Sequence, residues 1–167
     1  MQIVILAAGL GSRLGKGTPK ALVEVVGKTM LEYQMCWTRN FNPDRTIVIS
    51  GFHHDEMKSF CKNKFSDAIV IENKRFKEQN LYSLLAAVEY LNEDTLIMNV
   101  DHIYPESFAK RVVPLLKDVG QFAIFADTER ALTDDDMKVL ISSDGYVEKI
   151  SKKLTEWNAG YIGMTFI

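Results

Sequence analysis

The sequence has few cysteines, no long apolar run and no excess of charge of either sign. Cys36 and Cys61 are the only cysteines and form no C-x-x-C pair, which argues against a disulfide framework and against a zinc site. The 20 basic and 22 acidic residues leave a net charge of -2, so we expect no general attraction to nucleic acid or to anionic membranes. Partners must therefore be recognised by local sites.

The longest apolar run near the N-terminus, IVILAA, also excludes two kinds of segment. It is far shorter than the ~20 residues that a membrane-spanning helix needs, and no basic flank precedes it. We therefore expect neither a signal peptide nor an anchor, and predict a cytoplasmic protein. A chain of 167 residues, 47% of them hydrophobic, suffices for one globular domain with its own core, and two full domains are not expected.

Short apolar segments rich in Val and Ile alternate with segments of helical character. The predicted strands are QIVILA, TIVISG, AIVIEN, TLIMNVD and QFAIFAD, and the predicted helices are LEYQMCWTRNF, DEMKSFCKNKF, NLYSLLAAVEYLN and PESFAKRVVPLLKD. Most of these strands are continuous apolar runs, as expected of strands buried on both faces. The alternation predicts an α/β fold in which a mixed, mostly parallel sheet lies between two helical layers, the three-layer αβα arrangement. In the third helix, the 3.6-residue period places five apolar side chains on one face: Leu81, Leu84, Leu85, Val88 and Leu91.

The pattern changes after Asp127. MKVLISSDGYVEKIS predicts a C-terminal β-hairpin with its turn at Ser143, Asp144 and Gly145, and AGYIGMTFI predicts a last strand that runs to the end of the chain. Because nothing polar follows that strand, we expect residues 1–167 to be a single domain that is truncated at its C-terminus.

A glycine-rich segment, LAAGLGSRLGKGTPKAL, follows the first predicted strand. Glycines at this position let backbone N–H groups approach a phosphate without hindrance from side chains, although such turns also occur for steric reasons alone. The P-loop pattern fails, because Leu10 stands where its first glycine belongs and Gly17 where its Ser or Thr belongs. The dinucleotide pattern fails too, because Gly9, Gly11 and Gly15 are spaced G-x-G-x-x-x-G and the second predicted strand ends without a ribose-binding acid.

The same segment resembles the signature L-A-A-G-x-G-x-R, then P-K-x-L, of the nucleotidyltransferases that make nucleotide-sugars and related activated alcohols. The matching residues are Leu6, Ala7, Ala8, Gly9, Gly11, Arg13, Pro19, Lys20 and Leu22. The resemblance implies a Rossmann-like fold whose glycine loop wraps a nucleoside triphosphate. The nucleotide-binding residues that it implies here are Leu6, Ala7, Ala8, Gly9, Gly11 and Ser12. Arg13 and Lys20 would then be catalytic cations that neutralise the phosphates during transfer.

Asp101 ends the predicted strand TLIMNVD, at the sheet edge where ligands of open α/β sheets bind. The resemblance implies that Asp101 is a catalytic residue and an Mg²⁺ ligand, since Mg²⁺ takes one or two carboxylates together with substrate phosphates. The pair Asp101-His102 resembles the inositol-1-phosphate cytidylyltransferase branch, and Ile103 excludes the D-x-D motif of glycosyltransferases. We assign His102 to the acceptor; support of a neighbouring site residue from behind, or packing, is the alternative.

Two further stretches resemble cytidylyltransferases. NKRFKEQNLYSLLAAV is similar to the N-x-x-(x)-N-x-Y-S-L segment of the enzymes for phosphocholine and inositol phosphate, which implies that Asn80 and Ser83 bind the nucleotide. A helix N-cap and first turn would explain the same two residues. DDDMKVLISSDGYVEKISKKLTEWNAGYIGM resembles the inositol-phosphate branch and implies that Lys152 and Asn158 face the acceptor. The acidic residues 134–136 match the acid-rich segment of that branch, and a solvated loop is the alternative explanation for them.

The resemblance predicts a Mg²⁺-dependent cytidylyltransferase that transfers CMP from CTP to an alcohol phosphate, with myo-inositol-1-phosphate as the expected acceptor, and releases pyrophosphate. It also implies a second metal-binding aspartate C-terminal to the last strand. The alternatives are a sugar-1-phosphate or phosphocholine nucleotidyltransferase, the latter with Trp157 and Tyr161 as candidate cage residues, and a non-catalytic nucleotide-binding module. The expected partners are CTP and a phosphorylated alcohol, without nucleic acid or a membrane span. A homodimer or a fused domain is left open.

Overall fold

An eight-stranded sheet with helices on its faces organises the chain, and the computed structural model describes residues 1–9, 11, 17–78, 80–120 and 122–167 of it. The strands are β1 (Gln2–Leu6), β2 (Glu24–Val25), β3 (Lys28–Thr29), β4 (Arg45–Ser50), β5 (Ile69–Glu72), β6 (Thr95–Asn99), β7 (Ala123–Asp127), β8 (Lys138–Ile141), β9 (Val147–Ser151) and β10 (Ala159–Phe166). The helices are α1 (Met30–Thr38), α2 (His54–Lys64), α3 (Asn80–Leu85) and α4 (Glu106–Leu115). Short 3₁₀ turns cover Lys20–Leu22, Arg39–Phe41 and Val88–Tyr90.

The strand order confirms the predicted α/β sheet. Neighbours follow the order β5-β4-β1-β6-β10-β8-β9, β7 also pairs with β10, and β2 and β3 form a separate ribbon. The first four strands of that order pair in parallel, whereas β10 is antiparallel to β6, β7 and β8. Since β9 is antiparallel to β8, only β9 and β10 run against the common strand direction. The predicted hairpin is β8–β9, and Gly145 in its turn has a φ of +84°.

Alternate side chains of the parallel strands enter two different cores. Ile3 and Ile5 of β1 pack in the core that α1, α2 and α4 cover, whereas Val4 packs in the core beside α3. All three side chains are fully buried. The continuous apolar runs of the sequence thus correspond to strands that are covered on both faces.

The N-terminus of α1 is fixed by a capping box. Thr29 Oγ1 accepts a hydrogen bond from the Glu32 backbone at 3.1 Å, and the Glu32 carboxylate accepts one from the Thr29 backbone at 2.8 Å. Lys64 of α2 donates to the other Glu32 oxygen at 2.8 Å. The hydrogen bonds from Lys64 and from Thr29 lower the pKa of Glu32 to about 2. This cluster ties α1, which supports the site described below, to α2.

The predicted apolar face of the third helix is only partly confirmed: Leu84 and Leu91 pack against the core, and the other three residues are exposed. The helix ends at Leu85 and a 3₁₀ turn follows at Val88–Tyr90, so no continuous helical face exists. Leu81, Leu85 and Val88 are 58%, 47% and 56% exposed. The buried pair is instead Ser83 and Ala87, which lie four residues apart. Ser83 Oγ accepts a hydrogen bond from the buried Asn73, so the buried part of this segment includes a polar contact that the apolar period does not predict.

Candidate active site

A cavity of about 520 Å³ opens where β1 and β6 end at the same edge of the sheet, a size that accommodates a nucleotide. Its walls come from the segments that follow these two strands, from the start of α3 and from the C-terminal part of the chain. The lining residues are Leu6, Ala8, Gly9, Gly11, Lys20, Asn80, Ser83, Asn99, Val100, Asp101, Asp135 and Lys152. We call this space the site cavity.

The site cavity brings together residues that lie far apart in the sequence. Nine residues that the sequence assigned to the site line it: Leu6, Ala8, Gly9, Gly11, Lys20, Asn80, Ser83, Asp101 and Lys152. Ser12 and Arg13, assigned to the nucleotide phosphates, lie outside the described residues. Ala7 is buried in the core and donates its backbone N–H to Ile49 O at 2.8 Å, so it supports the loop from behind.

Lys20 and Asp101 form the central contact of the cavity. Lys20 Nζ donates to Asp101 Oδ2 at 2.6 Å, and His102 Nδ1 lies 3.0 Å from Asp101 Oδ1. Burial raises the pKa of Asp101, but the hydrogen bonds from His102 and Lys20 and the charge of Lys20 outweigh it and hold that pKa well below its usual range. Asp101 is therefore a carboxylate near neutral pH. The Lys20 and Asp101 side chains are 38% and 35% exposed, so a ligand can reach both.

Gly11 lies directly against Lys20. Its φ is +59°, a conformation that L side chains rarely adopt, and a Cβ at this position would lie 3.2 Å from the Lys20 Cβ. Leu22 and Val23 close a 3₁₀ turn onto Pro19 and Lys20 through backbone hydrogen bonds of 2.9 and 3.2 Å. The P-K-x-L part of the motif thus holds the Lys20 backbone next to the end of β1.

The turn that carries Asp101 is held from inside the protein by Gln34 of α1. Gln34 Nε2 donates to the backbone carbonyl of Asn99 at 3.3 Å and also to that of His102, and its side chain is 1% exposed. Val100 N donates to Leu6 O at 3.1 Å, which joins this turn to the glycine segment. Sequence reasoning did not assign Gln34 to the site. The available signal was a glutamine among apolar residues in the helical stretch LEYQMCW.

Ser83 links the cavity to the loop before α3. The buried Asn73 donates from Nδ2 to Ser83 Oγ at 3.0 Å, and its own Oδ1 accepts from the Arg75 backbone at 2.8 Å. Arg75 then lies with its guanidinium 3.5 Å from the centre of the Tyr82 ring. Asn80, by contrast, is exposed at the start of α3. Asn73 and Ser83, two residues of the N-x-x-(x)-N-x-Y-S-L segment, therefore contact each other inside the protein.

Lys152, in the C-terminal part of the chain, lies beside an acidic residue of the cavity wall. Its Nζ lies 3.9 Å from Asp135 Oδ1, and both residues line the site cavity. Sequence reasoning treated Asp135 as part of an acidic run and did not assign it, or Asn99, to the site. Neither residue carries a signal that separates it from surface residues before the fold brings it to the cavity.

Two residues that the sequence assigned to the acceptor, Asn158 and His102, do not line the site cavity itself. Asn158 does not line the site cavity, and its side-chain amide pairs with the Ile141 backbone, donating at 2.7 Å and accepting at 2.9 Å. His102 lines a cavity that shares Asp101 and Lys152 with the site cavity, and its ring contacts Asp101. Both assignments to the acceptor stay predictions, and the geometry gives each side chain a partner within the protein.

The candidate cage residues for a quaternary ammonium group are also separated. Lys138 Nζ lies 4.4 Å from the centre of the Trp157 ring, so a cation of the protein already occupies that face. Tyr161 lines a different cavity from Trp157, and its hydroxyl hydrogen-bonds Thr165 Oγ1 at 2.8 Å. Trp157 and Tyr161 therefore do not form one aromatic cage.

The donor set of the site cavity fits a metal ion that arrives with a triphosphate. Within the described ranges, no cluster of three or more His, Cys, Asp or Glu side chains could hold a metal ion by itself. Asp101 offers one ionised carboxylate at the cavity wall, and Mg²⁺ takes one or two carboxylates plus substrate phosphates. None of the helices in the described part of the chain has the length and apolar character that crossing a bilayer requires.

Known proteins with similar sequences include cytidylyltransferases. The chain is 32% identical over 162 residues to the bifunctional IPC transferase and DIPP synthase of Archaeoglobus fulgidus, covering 95% of this chain and 31% of that protein. It is 32% identical over 105 residues to the choline-phosphate cytidylyltransferase of Haemophilus influenzae, covering 60% of this chain and 44% of that protein. The chain thus spans less than half the length of these two curated relatives.

The structural comparison and the match to a family model agree with these sequence similarities. The fold is similar to that of the inositol-1-phosphate CTP transferase from T. maritima, with a TM-score of 0.85 and 21% identity, over 99% of this chain and 69% of that one. That likeness confirms the Rossmann-like fold. The family model described as the MobA-like NTP transferase domain matches residues 3–156. Because this match includes the glycine segment, Lys20, Asp101 and Lys152, the chain belongs to the MobA-like NTP transferase domain family.

Proposed function

We propose that this chain is the catalytic domain of a Mg²⁺-dependent cytidylyltransferase that joins CMP from CTP to an alcohol phosphate, with myo-inositol-1-phosphate as the acceptor. The observation that carries the proposal is the contact between Lys20 and Asp101 in a cavity that Gly9, Gly11 and Lys152 also line. The cytidylyltransferases among the sequence relatives support the choice of CTP. The predicted C-terminal truncation stays a prediction.

The chemistry needs cations more than it needs a base. An oxygen of the acceptor phosphate attacks the α-phosphorus of CTP, a new P–O bond forms, and the bond to the β-phosphate oxygen breaks and releases pyrophosphate. The attacking phosphate is already ionised near neutral pH, so positioning and charge neutralisation provide the catalysis. The site cavity combines two lysines, which can neutralise phosphates, with two carboxylates, Asp101 and Asp135.

Lys20 would exchange one negatively charged partner for another when the substrate binds. Without substrate its ammonium group pairs with Asp101, and a triphosphate in the cavity offers it a stronger partner. The backbone N–H group of Gly9 would approach the phosphates, since no atom of the described residues beyond its chain neighbours lies within 4 Å of the place where a Cβ would be. The Mg²⁺ ion, when bound, would neutralise negative charge on the triphosphate. Asp101 is the residue that would hold it.

The acceptor side of the cavity has features that suit a polyol phosphate. Lys152 supplies a cation for the acceptor phosphate, and Asp135 beside it can accept hydrogen bonds from hydroxyl groups. Phosphocholine has no hydroxyl group and needs an aromatic or acidic cage. The separation of Trp157 from Tyr161 removes the aromatic form of that cage, which supports inositol phosphate as the acceptor.

A pyrophosphate-release assay with Mg²⁺ tests the proposal. CTP, UTP, GTP and ATP are each combined with myo-inositol-1-phosphate, phosphocholine and glucose-1-phosphate, and binding of each nucleotide is followed in parallel by thermal shift. We expect release only from CTP with myo-inositol-1-phosphate. Release with another pair would overturn the assignment of base or acceptor. Stabilisation by CTP without release from any pair would identify a nucleotide-binding module instead.

A further inference from the structure

We propose that His102 is the positioning residue of Asp101: its ring, seated against Gly163, donates from Nδ1 to Asp101 Oδ1 and keeps this carboxylate aimed into the site cavity when Lys20 moves to the substrate phosphates. This inference rests on the proposed function. It differs from the sequence assignment, which placed His102 on the acceptor.

The seat for the His102 ring exists because residue 163 is a glycine. The register of β10 against β7 shifts between Tyr161 and Thr165, and Gly163 in this irregular part has a φ of +76°. A Cβ on Gly163 would lie 2.5 Å from His102 Nδ1 and 2.6 Å from its Cε1. Any other residue at this position would therefore displace the ring.

A second residue also contacts the His102 ring. The Tyr104 ring stacks on that of His102, with centroids 6.1 Å apart and an angle of 12° between the planes. Tyr104 in turn donates from its hydroxyl to Ile162 O at 2.7 Å, the carbonyl next to Gly163. Gln34 holds the backbone of the same turn through the carbonyl of His102. Ring and backbone are thus held by contacts with α1, with β10 and with Tyr104 of the same loop.

The direction of the hydrogen bond follows from the chemistry of the pair. An ionised carboxylate only accepts hydrogen bonds, so a bond between Asp101 and the ring requires the proton on Nδ1. The bond uses the carboxylate oxygen that Lys20 does not contact. When a phosphate draws Lys20 away, His102 is the neighbour that still orients Asp101.

Two amide substitutions separate positioning from acceptor binding. The amide nitrogen of Asn can stand near the position of His Nδ1, whereas that of Gln can reach toward the position of Nε2. We therefore compare His102→Asn, His102→Gln and His102→Leu. The first readout is binding of Mn²⁺ to the protein with CTP and no acceptor, measured by electron paramagnetic resonance. The second is kcat and the KM for myo-inositol-1-phosphate.

We expect His102→Gln and His102→Leu to weaken Mn²⁺ binding and to lower kcat by about 10–100-fold, with the acceptor KM unchanged. His102→Asn should restore both to within a few-fold of wild type. Rescue by Gln instead of Asn, or a raised acceptor KM with unchanged kcat, would overturn the proposal in favour of acceptor contact. Wild-type Mn²⁺ binding and kcat in His102→Leu would also overturn the proposal and leave His102 with a packing role alone.

A second variant tests the seat. Gly163→Ala should weaken Mn²⁺ binding in the wild-type background and have no further effect in a His102→Leu background, because the ring that it displaces is then absent. Equal effects in both backgrounds would overturn the role of the seat. The Mn²⁺ and CTP measurements need no turnover, so a failure of the proposed cytidylyl transfer is distinguishable from a failure of this inference.

Discussion

Replacing Lys20 by Met tests whether its contact with Asp101 serves catalysis or the fold. The substitution removes the ammonium group and keeps a side chain of similar length. In the structure, Nζ lies 2.6 Å from Asp101 Oδ2, with both side chains more than one third exposed. An ion pair this exposed contributes about 0.2–1 kcal/mol to stability, because solvent screens it. We therefore expect a change of less than about 1 kcal/mol in the free energy of unfolding.

The effect on the reaction should be much larger. Removing one preorganised group that stabilises developing negative charge lowers kcat by about 10²–10³-fold, which corresponds to about 2.7–4 kcal/mol. The assay measures pyrophosphate release and urea denaturation on the same preparations. Lys62→Met is the matched control, because Lys62 is exposed on α2 and does not line the site cavity. It should change neither quantity.

Two results would refute this reasoning. A Lys20→Met protein with wild-type kcat would show that the contact has no part in the reaction. A loss of stability well above 1 kcal/mol, with activity reduced only in proportion to the unfolded fraction, would show that the pair is structural. The Lys62→Met control distinguishes either result from a general effect of losing one positive charge.

Three further predictions concern other parts of the chain. Lys152→Met should raise the KM for the acceptor about tenfold or more, because a hydrogen bond to a charged group contributes about 1.5–3 kcal/mol, while Lys153→Met should leave it unchanged; equal effects would refute a specific role. Glu32→Gln keeps the capping box but loses the ion pair with Lys64. Since the folded pKa of Glu32 is about 2 and its ordinary value is 4.5, the stability from its charge is present above about pH 4.5 and is lost as the pH falls towards 2. Urea denaturation of Glu32→Gln and wild type should therefore differ at neutral pH and coincide near pH 2, and a constant difference would contradict the assignment. Burial raises the pKa of the Cys61 thiol to about 11, so iodoacetamide at neutral pH should leave Cys61 unlabelled in the native protein and label it in urea, as peptide mass mapping can check.

Much of the site follows from the sequence because parallel strands end at one sheet edge. The glycine segment and Asp101 follow two strands that pair directly, so the fold brings them together once those strands are recognised. The family resemblance added Lys20 and Lys152. The local sequence pattern thus predicted site residues that lie at the end of a strand or within the glycine motif.

The parts that the sequence could not predict depend on contacts between distant segments. The helical period over residues 80–91 did not reveal the buried hydrogen bond between Asn73 and Ser83. Likewise, the space for the His102 ring depends on a glycine in β10, 61 residues away along the chain. Such pairings leave no periodic signal, because each joins single residues of separate elements.

The most direct measurement is a ³¹P NMR spectrum of the chain with CTP, Mg²⁺ and myo-inositol-1-phosphate. Cytidylyl transfer predicts two coupled diphosphate signals of a CDP-alcohol and an equal amount of pyrophosphate, while the signal of the acceptor monophosphate declines. A spectrum in which CTP and the monophosphate persist unchanged would contradict the account. So would hydrolysis of CTP to CMP and pyrophosphate without a diphosphate product.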